Sequence, residues 1–221
     1  MKPLANAAIK FTVGVLLVGV LLFLPAGGLD YKNGWLFLVL LFLPMLLLGI
    51  VLAVKNPALL QKRLDAKEKQ TTQKGVVGAA ALLFIGGFVL AGLDLRFGWS
   101  QVPPWAVAVA SVVLLFSYAL YAEVMRENTY LSRTIEVQEG QTVVDTGMYG
   151  IVRHPMYAVT VWLFLSIPVV LGSWWAVLCF LPYVAVVVVR LLNEEKVLTA
   201  ELDGYTEYKN KVKYRLLPYI W

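Results

Sequence analysis

Hydrophobic and polar positions fall in long blocks along this chain, without the two-residue alternation of a half-buried strand. Six blocks carry no charge: residues 11–24, 35–54, 76–93, 104–121, 157–171 and 174–189. Several approach or exceed the ~20 residues that cross about 30 Å of hydrocarbon as a helix. Lipid offers backbone polar groups no partner, so helices are the expected solution. The pattern therefore predicts an all-α, polytopic transmembrane helix bundle in one integral membrane domain, residues 1–221. Only Gly172-Ser173 separates the last two blocks, so these are expected to form a tight helical hairpin.

The polar stretches differ in kind. Residues 55–74 mix Lys, Arg, Gln, Asp and Glu, and Asn56-Pro57 marks a boundary after the second span. A surface helix or solvated connection is expected there. Between Ser132 and Val144, polar and β-branched residues alternate around Gly140, a weak hairpin or extended signal. Such a segment can lie across a cavity mouth. Past the last block, Leu191, Val197, Leu198 and Leu202 recur near helical spacing, so the helix should run on with one face packed. Asp203-Gly204 supplies a stop signal. Beyond it, Tyr205, Tyr208, Tyr214, Tyr219 and Trp221 interleave with basic residues, as in an interfacial anchor.

Composition agrees with a membrane protein: 60% of the 221 residues are hydrophobic and only 15% charged. Lys and Arg are placed asymmetrically. Two lie in the N-terminal segment, six between spans two and three, three between spans four and five, and six from Arg190 onward, which leaves only Lys32 and Arg96 of the 19 on the other side. The positive-inside rule then puts both termini in the cytoplasm. The net charge of +5 reflects this bias and some attraction to membrane lipids, not nucleic-acid binding. Cys179 is the only cysteine and is expected to serve packing. No convincing cleavage site follows the first block, so it is read as a retained span.

Polar residues are sparse enough that their clusters mark where chemistry should lie. One cluster is Gly147-Met-Tyr-Gly-Ile-Val-Arg-His-Pro-Met-Tyr157, which contains the only histidine. Pro155 suits the first turn of a helix, so Arg153 and His154 stand just before a helix N-terminus, a favourable place for an anion. A cationic surface anchor is the plain alternative. The second cluster is Arg190 with Glu194 and Glu195. Arg190 and Glu194 share a helix face, although Arg before Glu is the weaker order for helix support, and a snorkelling arginine explains the pair equally well. Both clusters are expected on the cytoplasmic side, where together they could bind a zwitterion. One His and one Cys build no usual zinc site, and no Gly-rich loop follows a strand. Gly86-Gly87 within a span suggests close packing. No buried row of carboxylates or histidines marks an ion path.

Four ordered motifs, Gly147-Met-Tyr149, Arg153-His-Pro-Met-Tyr157, Arg190 with Glu194-Glu195, and Gly204-Tyr-Thr-Glu-Tyr208 running to Leu217-Pro218, resemble the integral-membrane methyltransferases typified by isoprenylcysteine carboxyl methyltransferase. Phospholipid methyltransferases are more distant relatives. The resemblance covers about residues 141–221, whereas residues 1–140 match only as hydrophobic spans. It implies N-terminal spans over residues 1–126 and a methyltransferase core over 127–221 that binds S-adenosylmethionine in a cytoplasm-facing pocket. Tyr149, His154, Pro155, Met156 and Tyr157 would line the cofactor site, with Gln141, Thr142, Val143 and Val144 contributing from the preceding loop. Glu194 would hold a polar group of the cofactor, Arg190 would face the methyl acceptor, and Arg153 would support the pocket as a second catalytic residue. The implied acceptor is lipophilic, enters from the bilayer and is typically a prenylated cysteine carboxylate. Lipid amines and thiols are alternatives, as is a non-enzymatic binding protein or transporter. Ala158-Val159 departs from the glycine-bearing turn common in the family.

Overall fold

The computed structural model describes residues 2–64, 71–132 and 134–221, without the side chains of 2–5, 71 and 72. Residues 65–70 of the expected surface connection and Arg133 of the expected extended segment lie outside the described residues. The described residues are predominantly helical, with no strand among them. Its helices are α1 (Lys2–Ala26), α2 (Lys32–Lys55), α3 (Pro57–Leu64), α4 (Thr71–Phe97), α5 (Pro104–Glu127), α6 (Pro155–Val170), α7 (Trp174–Phe180), α8 (Tyr183–Glu201) and α9 (Tyr205–Lys211).

Among the described residues, five segments are long and apolar enough to cross a membrane: Asn6–Ala26, Lys32–Lys55, Gln73–Phe97, Pro104–Glu127 and Trp174–Glu201. Helix α6 is shorter, 16 residues or about 24 Å. Many outward-facing positions are large and apolar, such as Leu16, Leu17, Val39 and Leu47, the surface a protein presents to lipid and not to water. Helix α6 packs chiefly on α5, and α4 packs between α1 and α7. The core between them includes Leu22, Phe37, Leu114, Ile167 and Phe180.

Small residues let these helices approach closely. A Cβ on Gly92 would lie 2.6 Å from the Leu22 carbonyl oxygen, and one on Gly87 would lie 2.4 Å from the Phe180 ring. Neither space exists for any other residue, so α4 meets α1 and α7 with its backbone. Gly86 faces Cys179 Sγ at ordinary contact distance.

The expected hairpin turns at Gly172-Ser173, where Gly172 takes φ +80° and the Ser173 hydroxyl caps α7 by accepting from Ala176 N. Its second arm is not the single helix expected over 174–189. Pro182 has no N–H to continue the ladder, so the arm is divided into α7 and α8, rejoined by Val184 N–H to Leu181 O and Ala185 N–H to Pro182 O. Helix α8 then runs on beyond the apolar block to Glu201, as expected, and stops before Gly204, whose φ is +80°. No hairpin ladder forms over the described part of 132–144. That segment is extended, with a turn at Gly140 closed by Gln141 N–H to Gln138 O.

Candidate active site

The polar ends of α3, α4, α5, α6 and α8 meet at one end of the bundle around a cavity of about 420 Å³. One wall is α8, and its phase explains which residues face inward. Tyr183, Val187, Arg190, Glu194, Leu198 and Leu202 recur every three or four residues and all line the cavity, as a helical period requires. Glu195 is turned about 100° from Glu194 and faces the protein.

Before α6 the backbone is held by two devices. Gly147 takes φ +52°, and a Cβ there would overlap Glu127, whose Oε2 accepts from Met148 N at 3.1 Å. Downstream, Arg153 N–H donates to Tyr214 O (2.8 Å) and His154 N–H to Arg215 O (3.0 Å). These bonds bring the C-terminal segment against the helix start and carry its basic residues to Glu195.

Glu195 is 5% exposed and is surrounded by donors. Its Oε1 accepts from Arg153 Nε at 2.7 Å and lies 3.3 Å from His154 Nε2, while Oε2 accepts from Arg215 Nε at 2.9 Å. Arg153 spends Nη1 on the carbonyls of Val212 and Lys213. A carboxylate and an arginine this deep require such pairing to offset desolvation.

Glu194 accepts from the Tyr157 hydroxyl at 2.5 Å. One turn earlier, Arg190 donates through Nη1 to Gln73 Oε1 at 3.1 Å. Tyr149 is buried, receives Asn128 Nδ2 on its hydroxyl and offers its carbonyl to Tyr208 OH at 2.7 Å. Burial raises the pKa of both the Tyr149 and Tyr208 phenols, so both stay protonated at neutral pH. At the rim, Lys211 Nζ donates to Asp145 Oδ2 at 2.6 Å and holds the Asp145 carboxyl below its usual range.

Around this cavity the fold gathers Arg190, Arg153, Gln141, Thr142, Val143, Val144, Tyr149, His154, Met156, Tyr157 and Glu194. Pro155 is the exception. It is buried at the first position of α6, where its ring sets the helix start, and is not among the residues lining this cavity. Helix α6 continues without a break through Ala158 and Val159, the positions that depart from the glycine-bearing turn; Ala158 packs beside Val187 and Leu191. The tail tyrosines Tyr205 and Tyr208 do not form an interfacial anchor. Both are buried with Leu202 and Val212, since α9 folds back under α8.

Sequence reasoning placed Glu195 in the second polar cluster without a role of its own, and missed Arg215, Asn128 and Glu127 as parts of the site. For Glu195 a signal existed: the apolar and polar positions of α8 fix a phase that only one of two adjacent glutamates can share. Arg215 and Glu127 act through tertiary contacts that no local spacing announces.

The fold and cavity thus define a polytopic membrane protein with a polar site at one end of its bundle. Residues 104–203, from the start of α5 to the turn before α9, match the family model described as phospholipid methyltransferase. That match supports a membrane methyltransferase acting on lipid-type substrates. No curated protein matches the chain.

Proposed function

We propose that this protein is an S-adenosylmethionine-dependent methyltransferase of the membrane, transferring a methyl group to a lipophilic acceptor such as a prenylated cysteine carboxylate. The observation that carries this reading is the convergence of Arg190, Glu194, His154 and Tyr157 on one cavity, within the stretch that matches phospholipid methyltransferases. Methyltransferases of that kind generally use S-adenosylmethionine, which when bound supplies an electrophilic methyl on a sulfonium. The residues present fit such a ligand. A carboxylate, apolar walls and the buried Tyr205 hydroxyl, which has no partner among the described residues, suit a cationic molecule that brings its own polar atoms.

In this reading Glu194, steadied by Tyr157, faces the donor and takes its amine. Arg190, steadied by Gln73, orients the acceptor head. Arg153 is a positioning residue: through Glu195 it fixes His154 and the start of α6. Methyl transfer is an in-line displacement, so alignment and exclusion of water are the main tasks of the protein. A carboxylate acceptor is already nucleophilic and needs no base. In this reading His154, whose Nε2 lies 3.3 Å from Glu195 Oε1, positions the pocket wall. A lipid amine is the second reading, favoured by the description of the matching family. With 17 of 19 Lys and Arg on the site side by sequence, the site faces the cytoplasm, where the donor is made.

Titration calorimetry on purified protein tests the donor site, with S-adenosylmethionine and its demethylated product expected to bind. Methyl transfer to a farnesylated cysteine, and not to a lipid amine, is expected from the carboxylate reading. Absence of binding by either nucleoside sinks the enzyme reading, and transfer to the amine alone replaces the acceptor.

A further inference from the structure

The cavity wall on α8 changes character along its length. Tyr183 and Val187 are followed by Arg190 and Glu194, then by Leu198 and Leu202. Eight residues of helical rise separate Glu194 from Leu202, about 12 Å. The second apolar end is closed by Val143, Tyr205 and Tyr208, which pack with Leu198 and Leu202.

Two phenolic hydroxyls stand at that end, and they differ. Tyr208 donates to the Tyr149 carbonyl and is committed. Tyr205 is 3% exposed, lines the cavity, and its hydroxyl has no hydrogen-bond partner among the described residues. A buried hydroxyl left unpaired costs free energy, and such a group in a cavity wall is explained by a ligand that supplies the partner. Burial, with the negative charges of Glu195 and Glu194 nearby, raises the Tyr205 pKa. The hydroxyl therefore keeps its proton at neutral pH.

We infer that Tyr205 is the residue that recognises the base of the donor's adenosyl group: Leu198, Leu202 and Val143 take the flat ring system, and the phenolic hydroxyl hydrogen-bonds a polar atom on its rim. This rests on the methyltransferase reading above. Polarity selects the base over the other parts of the ligands. The amino-acid end of the donor carries an ammonium and suits Glu194 further along the stripe. A lipid tail would leave the Tyr205 hydroxyl as unpaired as before. An uncharged heteroaromatic ring with polar atoms at its edge satisfies both the apolar wall and the single neutral donor.

Two ligands separate these possibilities: S-adenosylhomocysteine, and 5′-methylthioadenosine, which has the nucleoside without the amino acid. Tyr205→Phe keeps the ring and removes only the hydroxyl. It is expected to weaken both ligands by about 3- to 10-fold, without lowering the unfolding midpoint of the ligand-free protein, since no protein partner is lost. Glu194→Gln is expected to weaken S-adenosylhomocysteine far more than methylthioadenosine. Unchanged affinity in Tyr205→Phe overturns the inference, as does a loss confined to S-adenosylhomocysteine. A lowered ligand-free midpoint also overturns it, by revealing a structural partner. If the wild-type protein binds neither nucleoside, the methyltransferase reading fails before Tyr205 is tested.

Discussion

Two buried carboxylates stand at opposite ends of this bundle, and their surroundings differ. Asp94, 1% exposed, accepts from neutral donors among the described residues: Ser100 N at 2.7 Å, Ser100 Oγ at 2.6 Å, and the Ser173 hydroxyl. Ser100 Oγ in turn accepts from Trp174 N at 3.1 Å. Asp94 thereby ties the α4–α5 connection to the hairpin turn. Glu195 instead gathers Arg153, His154 and Arg215, and the same contacts set the wall of a cavity. A carboxylate satisfied by turn hydroxyls closes loops, whereas one satisfied by arginines and a histidine from two distant chain segments assembles a site.

The contrast is open to test, beginning with sidedness, which should be all or none. In a Cys179→Ser background, Gln101→Cys at the Asp94 end is expected to react with a membrane-impermeant maleimide on sealed cells. Gln61→Cys on α3 is expected to be protected. The reverse pattern would place the cavity outside the cell and remove its donor supply.

Next in size is the Glu195 cluster itself. Glu195→Leu leaves Arg153 buried without its partner and should cost about 3 to 5 kcal/mol, read as a collapse of the unfolding midpoint in detergent with loss of nucleoside binding. Near-wild-type stability would show that Arg153 finds other partners and that the cluster does not organise the fold.

Arg190→Ala should lower methyl transfer about 10- to 150-fold, equivalent to about 1.5 to 3 kcal/mol for a hydrogen bond to a charged group, while donor affinity stays within about twofold. Arg190→Lys should recover only part of the activity, because an ammonium lacks the planar fork suited to a carboxylate. If Arg190→Ala abolishes donor binding instead, the assignment of Arg190 to the acceptor is wrong.

Asp94→Asn retains one acceptor oxygen and turns an amide toward a hydroxyl, so a loss of about 1 to 2 kcal/mol in stability is expected with nucleoside affinity unchanged. A fall in affinity would mean that the two ends are coupled. The smallest effect belongs to the exposed pair Lys211 and Asp145. Asp145→Asn should leave the unfolding midpoint at neutral pH unchanged. Because Lys211 lowers the Asp145 pKa, whatever the pair contributes is present above the ordinary carboxyl value of 3.8 and fades as the pH falls through the lowered one.

Much of this architecture was legible in the chain. Charge-free blocks announce spans because lipid penalises every unpaired polar atom, and Gly172-Ser173 and Asp203-Gly204 mark turns for reasons internal to a few residues. The cavity residues of α6 and α8 were legible through the motifs. The break at Pro182 was legible too, since a missing N–H is a local fact, but an uninterrupted apolar run concealed it. Tyr205 and Tyr208 were misjudged because aromatic residues among lysines suit an interface as well as a core, and only the return of α9 under α8 decides between them. The Glu195 cluster was beyond local reading, because its partners lie 41, 42 and 20 residues away.

The pairing of Arg153 and His154 with the segment around Tyr214 has a consequence for biosynthesis. Arg153 is 59 residues upstream of Val212, so a nascent chain that has already threaded every apolar block into the bilayer still lacks the groups that close the cavity. The pocket is completed by a segment made after all of the apolar blocks. Chains halted before Val212 should therefore be inserted yet unable to bind nucleoside.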